Sequence, residues 1–198
     1  MMKRVWTGVL FVATVVALTS TAALAHVGVG VGETSGLATG FLHPILGLDH
    51  VLAMVAVGLW AAQLGGRAVW TIPAGFVGAM ILGAAAGMVG LHIPFVEVGI
   101  VASVMVLGVL VAAAFRAPVA VGAAVVGLFA LFHGHAHGTE MPALADGGAY
   151  MLGFVLATAA LHAVGVAIGT GAQRWSGVAT ARLAGGAIAA VGALLAFV

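Results

Sequence analysis

Charged side chains are so sparse along this chain that apolar stretches of about twenty residues follow one another almost without a break. Such stretches are stable in lipid only where the backbone satisfies its own hydrogen bonds, as a helix does. With 64% hydrophobic and 6% charged residues in 198, the chain lacks the polar surface that an ordinary soluble domain carries. The fold expected is therefore all-α: a polytopic membrane protein forming a six-transmembrane-helix bundle. The spans fall at about 40–63, 69–89, 96–115, 118–138, 149–170 and 180–198. Their short connections predict consecutive helices as antiparallel neighbours. The 31 glycines suit close helix packing, with Gly83/Gly87 and Gly165/Gly169 marking expected contacts. Pro73 is expected to kink the second span and Pro118 to open the fourth.

The first 25 residues read as a removable leader. Met1-Met2-Lys3-Arg4 is a basic start, Val9 to Leu18 is a short apolar run, and Ala23-Leu24-Ala25 is a small-residue cleavage pattern. Residues 26–198 would then be the mature domain, with His26 as its first residue on the outer face; an α-amino group beside an imidazole is itself a candidate chelate. Counting spans from there places Arg67, Arg116, Arg174 and Arg182 all on the cytoplasmic side, as the positive-inside rule requires. The expected location is the bacterial inner membrane, with a periplasmic mature N-terminus. On this topology His26, Glu33, His43, His92, Glu97, His137, Glu140 and Asp146 lie at or near the outer surface. Asp49, His50, His133 and His162 lie within apolar spans.

That asymmetry is the main functional signal. In Phe41-Leu42-His43-Pro44-Ile45-Leu46-Gly47-Leu48-Asp49-His50, an ionisable acid enters a spanning segment. Insertion of such a group costs about 2.5–3.5 kcal/mol, so it calls for a partner or a task. His43 and His50 share a helix face if both are helical, a condition that Pro44 weakens by biasing His43 away from helical geometry. Asp49 is expected either to bind an ion or to orient an imidazole; the bland alternative is a structural ion pair between helices. In Phe132-His133-Gly134-His135-Ala136-His137-Gly138-Thr139-Glu140, the residues His133, His137 and Glu140 align on one face, and His135 points elsewhere if the helix persists through its two glycines. Imidazoles with carboxylates suit nickel, zinc, copper(II) or cobalt better than magnesium or calcium. His162 lies near mid-membrane, with Thr158 one turn earlier as a candidate hydrogen-bond partner. His92 and Glu97 read equally well as interface residues or as ligands.

Other classes are disfavoured. A net charge of +1 gives no pointer to nucleic acid, and the lack of cysteine excludes disulfides and thiolate sites. No phosphate-cradling loop for ATP and no common hydrolase motif occurs. No catalytic residue and no permanently bound cofactor is assigned. The expected partners are a divalent metal ion, the bilayer and a further copy of the chain. Two rival readings stay open: an intramembrane metal-dependent hydrolase, and a periplasm-facing metal sensor or chaperone that does not transport.

The segment HPILGLDHVLAMVAVGLWA resembles the signature of the HupE/UreJ family of bacterial membrane proteins, and FHGHAHGTE resembles its second histidine motif. A leader followed by histidine and six spans extends the resemblance over essentially the whole chain. The resemblance implies a permease or accessory protein for nickel, or sometimes cobalt, linked indirectly to hydrogenase or urease maturation. It also implies that His43, Asp49, His50, His133, His135, His137 and Glu140 handle the metal.

Overall fold

A computed structural model describes residues 36–175 and 177–197. The leader, His26 and Glu33 lie outside the described residues. Among those described, the only regular structure is helical: α1 (Gly36–Leu46), α2 (Leu48–Leu64), α3 (Ala68–Met88), α4 (Val96–Ala112), α5 (Val119–Thr139), α6 (Gly147–Trp175) and α7 (Val178–Leu195). Four of them, α3, α5, α6 and α7, are individually long and apolar enough to cross a membrane. α4 is a shorter apolar helix of 17 residues, and α1 with α2 qualifies only as a pair. The sides of the bundle expose large apolar residues such as Leu82, Val109, Leu128, Leu183 and Leu194, as lipid-facing helices do.

The first expected span is broken. α1 and α2 meet at an 80° bend, where the single residue Gly47 takes an extended conformation (φ −85°, ψ 114°). Pro44 was expected to disturb His43, yet it sits inside α1 and the break comes three residues later. Asp49 favours a new start there. It occupies the first turn of α2, where its charge complements the helix dipole, and its Oδ1 accepts the His50 backbone N–H at 2.8 Å. Pro73 lies within the unbroken α3, and Pro118 caps α5 from just outside it.

From α2 onward consecutive helices alternate in direction, but the most extensive packing skips along the sequence. α3 lies against α5, α2 and α1 against α6, and α4 against α7. Glycine register is the reason. A Cβ on Gly83 would strike the Leu131 carbonyl, and one on Gly134 would strike that of Met80, so α3 and α5 touch backbone to backbone and run parallel. Gly58 and Gly165 do the same for α2 and α6. Short loops fix direction, whereas bare backbone fixes adjacency.

This packing gives the molecule two unlike ends. The break at Gly47, the last turns of α3 and α5 and the first turns of α4 and α6 form one end. The exposed Arg67, Arg116, Arg174 and Arg182 gather at the other. That end is tied by side chain to backbone bonds: Trp60 Nε1 to Phe115 O at 2.9 Å, Gln63 Nε2 to Val111 O at 3.0 Å, Gln173 Nε2 to Ala62 O at 2.9 Å, and Arg182 Nε to Ala112 O at 2.7 Å.

Candidate metal site

Gly134 and Gly138 turn the α5 backbone toward α3, so His133 and His137, one position earlier in each case, look toward α1 and α2. The bend at Gly47 brings His43 and His50 to the same place. The result is a cluster from three helices in which His43, His50 and His137 each offer one ring nitrogen, all within 4.8 Å of one another. The ring centroids of His43 and His137 are 4.8 Å apart, those of His50 and His137 4.9 Å, and those of His43 and His50 6.0 Å. His50 and His137 are buried and His43 is half-buried.

Carboxylates hold two of these rings from behind. Asp49 Oδ1 lies 2.8 Å from His50 Nδ1. An ionised carboxylate only accepts, so Nδ1 carries a hydrogen, and in the neutral ring Nε2 keeps a lone pair. That Nε2 is buried and makes no hydrogen bond to any described residue. Glu140 Oε2 stands 3.2 Å from His43 Nε2, which orients the outermost ring. His137 has neither nitrogen hydrogen-bonded among the described residues and lies flat on Phe154, 4.7 Å between centroids at 9°. Three ring nitrogens this close, two of the rings backed by acids, could hold one divalent metal ion; zinc, for example, takes imidazole nitrogen at about 2.0–2.1 Å.

Below the three lies a ladder. His133 stands edge-on to His50 at 4.8 Å, Phe76 is 5.8 Å from His133, and His162 is 5.1 Å from Phe76. His162 is eight residues beyond Phe154 on α6, so it lies about 12 Å deeper than the ring that His137 rests on. Thr158, expected as its partner, turns its hydroxyl to Met80 Sδ at 3.6 Å instead. Both nitrogens of His162 are buried without a hydrogen bond to a described residue.

The remaining sequence candidates stand apart. His135 donates from Nε2 to the Leu91 carbonyl at 2.7 Å, on another side of α5. His92 is exposed in the loop between α3 and α4, and Glu97 is exposed in the first turn of α4. Asp146 caps α6, accepting the Ala149 N–H at 2.7 Å. Sequence reasoning missed Tyr150, Phe154, Phe76 and Ser103. Tyr150 and Phe154 had a readable signal, because positions 150, 154, 158 and 162 form an i, i+4 stripe on α6 that is buried throughout. Tyr150, the chain's one tyrosine, lies 6.2 Å from His43 with its hydroxyl buried and not hydrogen-bonded to a described residue.

The family described as HupE / UreJ protein has a sequence model that matches residues 14–195. The chain belongs to the HupE/UreJ family. It is 44% identical over 184 residues to Protein HupE of Rhizobium leguminosarum bv. viciae, an alignment covering 93% of this chain and 96% of that relative. No solved structure matches it. HupE/UreJ proteins are membrane accessory or permease-type proteins associated with nickel supply to hydrogenase and urease, and the match brings in no catalytic family.

Proposed function

We propose that this HupE/UreJ protein is a secondary permease or facilitator for a divalent transition metal, nickel first and cobalt next, that feeds hydrogenase or urease maturation. The observation that carries the reading is the three-helix cluster of His43, His50 and His137 with Asp49 and Glu140 behind it. An arriving hydrated ion exchanges waters for imidazoles at the half-buried His43, then passes inward to His50, His137, His133 and finally His162. The metal is cargo, so its ligands must release as well as bind. Retention at one end only, as in a sensor or chaperone, gains support from one observation. Beyond His162 on α6, Thr170 and Gln173 bring the only side-chain oxygens, so the path onward has few ligands to offer.

The deciding experiment is radioactive nickel uptake into cells and proteoliposomes, comparing the unmutated chain with Asp49→Asn and His50→Ala. Loss of uptake in both supports passage through this cluster, and unchanged uptake in both would sink it. Binding with no flux in the unmutated chain would favour the sensor.

A further inference from the structure

A neutral imidazole carries one N–H and one lone pair, and only the lone pair takes a metal. On the reading proposed above, an ion leaving the outer three rings meets His133 next, so the nitrogen that His133 leaves bare decides whether it can act. Ser103 on α4 fixes that choice. Its Oγ lies 2.6 Å from the Ile100 carbonyl oxygen and 2.8 Å from His133 Nε2. Two oxygens this close require a hydrogen between them, and a carbonyl brings none. The one hydroxyl hydrogen is therefore committed to Ile100, and the short contact to His133 must use a hydrogen from the ring. His133 Nε2–H donates to Ser103, and His133 Nδ1 keeps the lone pair.

A serine bonding back to a carbonyl three residues earlier is ordinary in a helix. Here its second contact lands on an imidazole of another helix, and both residues are fully buried. Nδ1 of His133 is buried and makes no hydrogen bond to any described residue. The His133 ring stands at 88° to that of His50, whose bare Nε2 is set in the same way by Asp49. We propose that Ser103 is a positioning residue for metal passage. It holds His133 in the Nε2–H form, so that His50 Nε2 and His133 Nδ1 make a two-imidazole step between the outer cluster and His162.

The test uses the full chain carrying 15N-labelled histidine in lipid vesicles without metal, with the His133 signals identified by their loss in His133→Gln. The expected spectrum has Nδ1 bare and Nε2 protonated, and Ser103→Ala mixes the two forms. Nickel uptake in the same vesicles falls about tenfold in Ser103→Ala, the usual lower bound for losing a group that orients a metal-binding imidazole, and Ser103→Thr restores most of it. A protonated Nδ1 in the unmutated chain overturns the proposal, as does either an unaltered spectrum or unaltered uptake in Ser103→Ala. Unmutated vesicles that bind nickel without moving it refute the permease reading instead. In that case the spectra of the unmutated chain and Ser103→Ala still show whether Ser103 sets the His133 tautomer, and Ser103→Gly takes the place of Ser103→Ala if the latter does not fold.

Discussion

At the scale of single residues, Asp49 has two duties that a substitution can separate. It starts α2, and it sets the tautomer of His50. Asparagine keeps an oxygen that can accept from both N–H groups but removes the charge. Asp49→Asn is therefore expected to lower nickel uptake about 10-fold to 100-fold while leaving the fold intact, as circular dichroism would show. His50→Ala removes a ligand outright and should reduce uptake to background in the same assay. Proton competition gives a further expectation. Neutral imidazole binds metal and imidazolium does not, so uptake should fall as pH drops through roughly 6–7. A flat profile between about pH 5 and 8 would argue against capture by histidine.

At the scale of helices, the α3–α5 contact yields a paired prediction. A Cβ on Gly134 would press on the backbone of Met80 and Ala84, whereas one on Gly78 of α3 meets nothing within 4 Å. Gly134→Ala should cost about 1–3 kcal/mol in detergent unfolding, the usual penalty of overpacking. Gly78→Ala should be neutral or stabilising by up to ~1 kcal/mol through helix propensity. Much at this scale was legible in the sequence. Long apolar runs located α3 to α7 within a few residues, because lipid demands continuous helix. The break at Gly47 was not legible, because the strongest helix breaker in that stretch is Pro44, which α1 absorbs. Partner choice was legible only in part. Gly83/Gly87 and Gly165/Gly169 do mark contacts, but which helix faces them depends on glycines elsewhere in the chain. The histidine spacing on α5 put His133 and His137 together and set His135 aside, which is the helix period at work. Ser103 and Phe76 gave no signal, because one serine or phenylalanine in an apolar run carries no period of its own.

At the scale of the whole molecule, imidazoles and acids crowd one end and arginines the other, with a sparse middle reached through His133 and His162. The orientation proposed puts the histidine end in the periplasm. The absence of native cysteine makes that simple to check. Leu144→Cys, at a fully exposed position between α5 and α6, should react with an impermeant maleimide added outside intact spheroplasts. Ala179→Cys, exposed at the start of α7, should react only after permeabilisation. The reverse pattern would invert the direction of transport proposed.

The bend at Gly47 places His43 and His50 on opposite arms of a joint, while His137 sits on a helix locked to α3. Both arms rest on the backbone of α6, α1 through Gly40 at Tyr150 and α2 through Gly58 at His162. One bracing helix therefore sets the spacing between the two rings, and a side chain added at either glycine would shift one donor against the other.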